Sequence, residues 1–414
     1  MSAASHPLRI GLLMHSLNPR GGVVHTLELA DALCERGHEV TVFAAAKPGQ
    51  ALFRSTKARL SVAPLSPHEA GLVPMVAARR DALVSHLRDL PELADFEVLH
   101  SQDGITANAL ATLQEQGRIK GFVRTVHHLD DFSDPTLRYW QARGVRSASQ
   151  VLCVSPSWQA TLQHDWGISA QVVHNGVNTQ RFTPHTSPED TTLLHGLGVP
   201  LEGPVWLSVG GVEERKNTTR LLLAFAQVQA TRQAWQFAGQ LIIAGGASLL
   251  DHDAYGQQFK AALAALPSDV QARVIVTGPL PDASLPALYR RATALAMPST
   301  MEGFGLVALE ALACGTPAIV SRISPFVDHF APHEVLWADP TSTTSIAQAL
   351  NDSLNEAKRQ PILQAALGVC ARFAWAHSAA RHEALYRAMH SLQMLGQPSA
   401  APASLAPFRE SSHA

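Results

Sequence analysis

Residues 298–317 read PSTMEGFGLVALEALACGTP, and this stretch decides the fold class. The strand-like run Ala294–Met297 stops at Pro298, a loop with two glycines follows, and a helix is expected from Leu306 to Cys314. A strand, a short loop and a helix form the repeating unit of parallel α/β sheets. The stretch therefore predicts a parallel sheet with helices packed against it.

On both sides of this stretch, strand-like and helix-like segments alternate along nearly the whole chain. In the first half the predicted strands are Leu8–Met14, Glu39–Ala44, Glu97–His100, Phe122–Val126, Gln150–Val154 and Gln171–Val173. In the second half they are Val205–Val209, Leu241–Ala244, Val274–Thr277, Ala294–Met297 and Ala318–Val320. The predicted helices of the second half are Thr218–Thr231, Tyr255–Leu266, Leu285–Ala292 and Leu306–Cys314. This α/β pattern predicts two Rossmann-like, doubly wound parallel-sheet domains that face each other across a cleft.

The domain boundary is expected where prolines replace large apolar residues. Thr183 to Pro204 carries four prolines and is interpreted as an interdomain linker. We therefore expect an N-terminal domain over 1–185 and a C-terminal domain over 186–370. A final helix is expected over 371–395, followed by a disordered tail over 396–414 that is rich in Ala, Ser and Pro.

The composition excludes several classes of protein. The chain has 414 residues, of which 46% are hydrophobic and 16% charged, so a disordered or fibrous chain is excluded. Lys and Arg number 32 against 34 Asp and Glu, which leaves no surplus for bulk electrostatic capture of nucleic acid. No run approaches the about 18 apolar residues of a membrane helix, and the start lacks the pattern of a signal peptide. Four widely spaced cysteines predict reduced core residues, so we expect a cytoplasmic enzyme or binding protein.

Glu310 is the one charge between Gly303 and Pro317. A carboxylate on such an apolar helix is costly unless it is paired or hydrogen-bonded, and the two hydroxyls of a ribose would satisfy both its oxygens. The free N–H groups at the helix start near Leu306 also offer an anion site. A structural ion pair or a dipole-complementing acid would explain Glu310 alone, but not the strand–Glu302–glycine–helix arrangement around it.

A basic motif follows the first strand of the second half. Arg215-Lys216-Asn217 lies between a strand ending in Gly210-Gly211 and a helix beginning near Thr218. Fixed cations beside a helix N-terminus suit a diphosphate, since Arg can bind two oxygens at once. The alternative is a solvated basic turn.

The first half carries two weaker signals. Gly21-Gly22 precedes a helix and either lets backbone N–H groups approach an anion or forms a plain turn. His127 and His128 follow a strand; because neighbours on an extended segment point in opposite directions, they are poorly placed to share a metal ion. We expect His127 to point into the cleft, the alternative being a hydrogen-bonded loop histidine.

Two further clusters of charged residues are an acidic motif and a group of three arginines. Asp251-His252-Asp253 resembles a metal-binding DxD pattern but precedes a helix, where aspartates serve as caps, so no metal site is predicted. Arg79, Arg80 and Arg88 share a predicted helix and form either an anionic-lipid contact or a solvated face.

Glu302 and Glu310 match the E-x7-E signature of retaining glycosyltransferases of family 4, which have the two-domain GT-B architecture, and the chain resembles that family along nearly its whole length. The segments that carry the resemblance besides residues 298–317 are Gly21-Gly22, Thr125-Val126-His127, His174–Asn178 with Phe182, Glu214–Asn217 and Leu285–Pro298.

The resemblance implies a role for each of these positions. Glu310 would bind the ribose of a nucleotide, Glu302 a hydroxyl of the transferred sugar, and Arg215 and Lys216 the departing diphosphate. His127 would contact the sugar from the opposite domain. The remaining donor-binding positions would be Gly21, Gly22, Gly303, Phe304, Gly305, Leu306 and Val307.

The implied activity is retaining transfer of a hexose from a UDP- or GDP-hexose to an unidentified acceptor, which could be a small molecule, a glycan or a lipid-linked compound. No cofactor or metal is expected, and the last helix would cross back onto the first domain. The alternatives are a nucleotide-sugar epimerase or isomerase of the same fold and a non-catalytic sugar-nucleotide-binding protein.

Three positions depart from the family pattern. Gly211 stands where many members have an arginine, a role that Arg215 could take. Asn178 replaces an aspartate, and Phe326 replaces a glutamate that follows a proline.

Overall fold

A computed structural model of the chain describes residues 6–67, 70–231, 239–246 and 253–394. These residues divide into two compact units. The first comprises residues 6–52, 56–173 and 380–394, and the second comprises the remainder, mainly 174–379. Within the described part of the chain, no helix is long and apolar enough to cross a membrane.

The first unit is built on a seven-stranded parallel sheet with the order β3-β2-β1-β4-β5-β6-β7. Its strands are β1 (Arg9–Met14), β2 (Glu39–Ala46), β3 (Arg59–Pro64), β4 (Val98–Ser101), β5 (Val123–Val126), β6 (Gln150–Cys153) and β7 (Ala170–Val172). Its helices are α1 (Gly21–Glu35), α2 (Leu72–Arg88), α3 (Gly104–Glu115), α4 (Pro135–Arg146) and α5 (Pro156–Trp166), with a 3-10 turn at Pro91–Asp95.

The second unit is built on a six-stranded parallel sheet with the order β10-β9-β8-β11-β12-β13. Its strands are β8 (Val205–Val209), β9 (Gln240–Ala244), β10 (Val274–Gly278), β11 (Ala294–Met297), β12 (Ala318–Ser321) and β13 (Leu336–Ala338). Its helices are α6 (Asp190–Gly196), α7 (Thr218–Thr231), α8 (Asp253–Ala264), α9 (Ser268–Gln271), α10 (Ser284–Arg291), α11 (Leu306–Ala313), α12 (Phe326–His329), α13 (Thr343–Asp352) and α14 (Glu356–Arg372). The last helix, α15 (Trp375–Met394), begins in this unit, and its residues 380–394 are grouped with the first.

Both sheets reverse their strand order once, between β1 and β4 and between β8 and β11. At such a reversal the connections leave in opposite directions and open a crevice at the carboxyl ends of the strands, where ligands of doubly wound sheets bind. The central strands are almost fully buried, as expected for parallel sheets covered on both faces. The fold therefore marks one candidate crevice in each unit.

The α15 segment of the first unit is held by charge as well as packing. Glu383 accepts hydrogen bonds from Arg36 Nε at 2.8 Å and Arg387 Nε at 2.9 Å, and lies 3.3 Å from His38 Nε2. Burial raises the pKa of Glu383, but these three partners outweigh it and bring the pKa to about 2. Tyr386 adds a buried contact, its hydroxyl lying 2.6 Å from His100 Nδ1.

The structure differs from the sequence-based expectations at the edge strands and at the expected linker. Edge strands β3 and β13 were not predicted, because β3 is only partly buried and β13 has three residues. The stretch Thr183–Pro204, interpreted as a linker ending the first domain near residue 185, lies wholly in the second unit, which begins at His174. There Asp190 of α6 pairs with Arg290 at 2.5 Å, so this proline-rich stretch is packed. The predicted tail over 396–414 lies outside the described residues.

The four cysteines are free, and Cys153, Cys314 and Cys370 are buried while Cys34 is partly exposed. Burial raises the pKa of Cys314 to about 12, which keeps this thiol protonated and unreactive at neutral pH.

Candidate active site

Two loops meet beside the strand reversal of the second unit. Residues 210–217 follow β8 and residues 298–305 follow β11, and the two strands are paired. The backbone N–H of Thr300 donates to the carbonyl of Arg215 at 2.8 Å, which fastens one loop to the other. The basic motif and the glutamate–glycine motif, some 85 residues apart along the chain, are therefore neighbours.

Asn217 locks this arrangement. Its side-chain N–H groups donate to the carbonyls of Pro298 at 2.9 Å and Pro340 at 2.8 Å, and its backbone adopts φ of 60°. Asn tolerates this left-handed conformation better than most residues. Asn217 is thus a positioning residue, a role that the sequence motif alone did not reveal.

The centre of the site is an ion pair between Lys216 and Glu302. Lys216 Nζ lies 2.5 Å from Glu302 Oε1, and the two side chains are only 10% and 7% exposed. Ser299 Oγ donates to the same oxygen at 3.0 Å, and Arg215 Nη1 lies 3.6 Å away. All these contacts converge on Oε1, whereas Oε2 accepts no hydrogen bond from the described residues.

The surrounding charges fix the ionisation state of Glu302. Burial raises the pKa of its carboxyl, but the charges of Lys216 and Arg215 and the hydrogen bonds from Lys216 and Ser299 outweigh burial and hold the pKa below its usual value. Glu302 is therefore an ionised carboxylate at neutral pH. Arg215 also pairs with Glu213 at 2.9 Å and is 49% exposed, so it can face a ligand.

Two glycines shape the loop after β8. Gly210 has φ of 124° and lies beneath the Lys216 side chain, so that a Cβ here would stand 3.0 Å from Lys216 Cε. Gly211 has φ of 78°, and a Cβ there would overlap the carbonyl oxygen of Gly246. An arginine at position 211 is incompatible with this backbone, which explains that departure from the family pattern.

The second loop ends at an uncapped helix. Gly303 and Phe304 lead to Gly305, which precedes α11, and no side chain of the described residues caps the N–H groups of Leu306 and Val307. These donors have no partner within the helix and are suited to an anion.

Gly305 is required for close packing at this turn. It has φ of 91°, and a Cβ on it would overlap the buried ring of Phe326. The Phe that replaces the family's glutamate therefore fills the space under this turn.

Glu310 lies on α11, with 8% of its surface exposed. The hydroxyl of the fully buried Tyr289 donates to Glu310 Oε2 at 2.7 Å. Burial and the neighbouring Glu310 charge raise the pKa of Tyr289 well above its usual value, so it remains a donor. Tyr289 therefore occupies one acceptor position of Oε2. A carboxylate oxygen can accept more than one hydrogen bond, so the binding of two ribose hydroxyls by Glu310 stays a prediction. Tyr289 lies within the Leu285–Pro298 motif, which could have indicated this contact.

Phe304 is held by an aromatic cluster. Its ring lies 4.5 Å from that of His329 and 5.7 Å from that of Phe373, while His174 lies 5.4 Å from His329. Burial, with a smaller contribution from His174, lowers the pKa of His329 to about 3, so it is a neutral packing group at physiological pH.

The remaining predicted residues lie in the first unit. Gly21 and Gly22 are the first residues of α1, and a Cβ on Gly22 would lie 3.8 Å from His127 Cδ2. His127 Nε2 donates to Gln102 Oε1 at 3.1 Å, because an amide oxygen can only accept. Burial, with the nearby His25, lowers the pKa of His127 well below its usual value, so it is neutral.

Neither of the two clusters considered as metal ligands, the His127-His128 pair and the Asp251–Asp253 motif, is predicted to hold a metal ion. His128 is exposed and lies 3.5 Å from Asp130. The described residues contain no group of side chains able to hold a metal ion. Asp251 and His252, and the side chain of Asp253, lie outside the described residues.

Comparison with known protein families now bears on this geometry. The model of Glycosyltransferase Family 4 matches residues 19–181, and that of Glycosyl transferases group 1 matches residues 191–366. The chain belongs to glycosyltransferase family 4. The glycosyltransferase is 28% identical over 378 residues to D-inositol 3-phosphate glycosyltransferase of Acidothermus cellulolyticus, covering 86% of this chain and 83% of the relative. An uncharacterised glycosyltransferase of Methanocaldococcus jannaschii is 25% identical, with 84% and 90% covered.

Solved structures share the GT-B fold of this glycosyltransferase. Sucrose-phosphate synthase of Thermosynechococcus elongatus has a TM-score of 0.76 at 22% identity and covers 93% of this chain and 99% of its own. HepE of Anabaena, in complex with UDP and glucose, has a TM-score of 0.73 at 20% identity and covers 92% and 100%.

Proposed function

We propose that this glycosyltransferase transfers a hexose, with retention at the anomeric carbon, from a nucleotide diphosphate hexose to an acceptor hydroxyl. UDP-hexose is the preferred donor and GDP-hexose the alternative. The observation that carries the proposal is the Lys216–Glu302 pair, flanked by Arg215, beside the uncapped start of α11 at the strand reversal.

Each group has a chemical task in this reaction. Cleavage of the anomeric bond leaves negative charge on the diphosphate, which Lys216, Arg215 and the N–H groups of Leu306 and Val307 stabilise as it develops. Glu302 Oε2 accepts a hydrogen bond from a hydroxyl of the hexose, and Glu310, held by the hydrogen bond from Tyr289, binds the ribose. The fixed cations supply the charge that a metal ion would otherwise bring, so we propose that the reaction needs no metal.

We propose that retention proceeds without a protein nucleophile. Glu302 is bound to two cations and a hydroxyl, which lowers its nucleophilicity. The acceptor oxygen attacks from the face that the diphosphate leaves, and a phosphate oxygen takes its proton. His127, neutral and able to hydrogen-bond, is proposed to contact the hexose.

The preference for UDP is supported by HepE, which is described as bound to UDP and glucose. The D-inositol 3-phosphate glycosyltransferases show that phosphorylated acceptors occur among the relatives.

Thermal shift and hydrolysis test the donor assignment. In the thermal-shift assay, UDP at 100 times its Kd should stabilise the protein by about 2.7 kcal/mol. GDP and ADP are measured in the same way for comparison. UDP-glucose turnover should persist in EDTA, and Glu310→Ala should lose the UDP shift. If neither UDP nor GDP stabilises the wild type, or if Glu310→Ala binds equally well, the proposed site is wrong.

A further inference from the structure

The strand reversal of the first unit carries polar groups that the proposed donor site does not use. His15 follows β1, and Gln102 and Asp103 follow β4, the two strands between which the order reverses. His15 Nδ1 lies 3.3 Å from Asp103 Oδ2, so the two loops face each other across this crevice. Ligands of doubly wound sheets bind at such a point.

Arg124, on β5 next to β4, is buried and pairs with no carboxylate of the described residues. It is 5% exposed, and its Nη1 donates to the carbonyl of Thr125 at 2.7 Å. Its Nε is buried and has no hydrogen-bond partner among the described residues. Burial lowers the pKa of Arg124 to about 10 despite the opposing charge of Asp103, so the guanidinium is still charged at neutral pH. A buried cation with unused donors is costly.

Two more buried donors lie around the same crevice. Arg79 of α2 donates from Nε to the carbonyl of His15 at 3.2 Å, while its Nη1 is buried and meets no acceptor in the described part of the chain. Gln102 accepts from His127 through its oxygen, and its Nε2 is likewise buried with no acceptor in that part of the chain. The charge of Asp103 acts on both arginines, yet Asp103 also caps α3 at Thr106 N and contacts His15.

The other two arginines of the α2 trio lie in different surroundings from Arg79. Arg80 pairs with Asp81 at 2.7 Å and lies 4.9 Å from the Trp140 ring centroid. Arg88 is exposed beside Asp89. The interpretation of this trio as a solvated face therefore does not describe Arg79.

We infer that Arg79, Arg124 and Gln102 bind the phosphate group of a phosphorylated acceptor. Two guanidinium groups and an amide offer several N–H donors to one tetrahedral anion, and arginine is suited to bidentate phosphate binding. The assignment rests on the proposed function, since it places a substrate of the transfer reaction in the first unit. A soluble polyol phosphate and a lipid phosphate headgroup share this chemistry.

The binding test uses the full chain and inorganic phosphate against chloride at equal ionic strength. Phosphate should raise the Tm of the wild type and of Arg88→Met more than that of Arg124→Met or Arg79→Met, because all four proteins keep the proposed diphosphate site of the second unit. Replacing a buried unpaired cation with an apolar side chain is often neutral or stabilising, so Arg124→Met should have at least the wild-type Tm without phosphate. Arg79→Met provides an independent variant in case Arg124→Met fails to fold.

The acceptor test compares D-inositol 3-phosphate and glucose 6-phosphate with inositol and glucose, and phosphatidylinositol with phosphatidylcholine vesicles. We expect a phosphorylated acceptor to be favoured and its KM to rise at least tenfold in Arg124→Met and Arg79→Met, while donor hydrolysis stays within twofold. If the KM rises for the soluble phosphates, the ligand is a soluble polyol phosphate; if it rises for the phosphatidylinositol vesicles, the ligand is a lipid headgroup. Equal phosphate shifts and equal KM values in wild type and both variants would overturn the subsite. Because donor hydrolysis is measured separately, that result leaves the donor assignment standing.

Discussion

Lys216→Met tests the central ion pair most directly. In the structure Lys216 Nζ and Glu302 Oε1 lie 2.5 Å apart, and both side chains are at least nine-tenths buried. Removing the ammonium leaves a buried carboxylate with Ser299 at 3.0 Å and the more distant Arg215 at 3.6 Å. Removing one partner of a buried ion pair lowers the free energy of unfolding by about 3–5 kcal/mol. Because Arg215 still offsets part of the Glu302 charge, we expect a loss of about 3 kcal/mol here. For a unit of this size, that corresponds to a Tm lower by roughly 6–12 °C.

A double-mutant cycle separates stability from catalysis. Glu302→Gln in the Lys216→Met background removes the uncompensated charge, so the double variant should regain about 2 kcal/mol of unfolding free energy. Transfer should stay impaired in both, by roughly 100- to 1000-fold, because the cation that stabilises the departing diphosphate is still missing. Urea denaturation measures the unfolding free energy, and the initial rate of UDP-glucose consumption measures the transfer rate. Lys260→Met is the matched control, since Lys260 is exposed on α8.

Either measurement can refute the reasoning. If Lys216→Met unfolds at the wild-type urea concentration, or the double variant is no more stable than the single one, the ion pair does not hold Glu302 in solution. If folded Lys216→Met transfers hexose at the wild-type rate, Lys216 does not neutralise the leaving group.

Tyr289→Phe should cost about 1–3 kcal/mol of stability and raise the KM for the nucleotide sugar, because Glu310 loses its buried donor; an unchanged KM contradicts the link to the ribose carboxylate. Gly305→Ala should destabilise by about 2–4 kcal/mol through its φ of 91° and overlap with a buried ring, whereas Gly368→Ala, with open space around it in α14, should be neutral or stabilising; similar Tm values for both would contradict the close packing. Glu383 has a folded pKa of about 2, below the unfolded 4.5, so its contribution is complete above pH 4.5 and is lost as the pH falls towards 2. The stability difference between wild type and Glu383→Gln should therefore shrink from pH 6 to pH 3, and a constant difference in urea titrations would count against this pKa.

The sequence predicted those parts of the site that follow from strand order and loop position. Glu302, Lys216 and Arg215 follow parallel strands, and the carboxyl ends of such strands share one edge of the sheet. What it missed depends on contacts between distant segments. The Tyr289 hydroxyl on Glu310 and the two carbonyls bound by Asn217 require a particular register of helices against strands, which residue periodicity does not encode.

The edge strands were missed for a different reason. Residues Leu60 to Val62 of β3 are partly exposed, and β13 is too short to show a period. The burial pattern that identifies a central parallel strand is therefore weak at the margins of a sheet. Arg79 illustrates the same limit for charge, since its helix also carries the solvent-exposed Arg88, and nothing local separates the two.

The two strand reversals differ in how their cations are balanced, and the difference bears on the order of chemical events. In the second unit Lys216 pairs with Glu302, so their charges cancel before a ligand binds. The same ion pair holds the Lys216 ammonium in place for the diphosphate. In the first unit the one carboxylate of the described residues whose charge acts on both Arg79 and Arg124 is Asp103, which also contacts His15 and the start of α3. An anion entering there relieves an existing imbalance rather than competing with a formed pair. On the proposed function, phosphate recognition in the first unit serves to bind the acceptor, whereas the cations of the second unit are positioned for charge that develops only as the anomeric bond breaks.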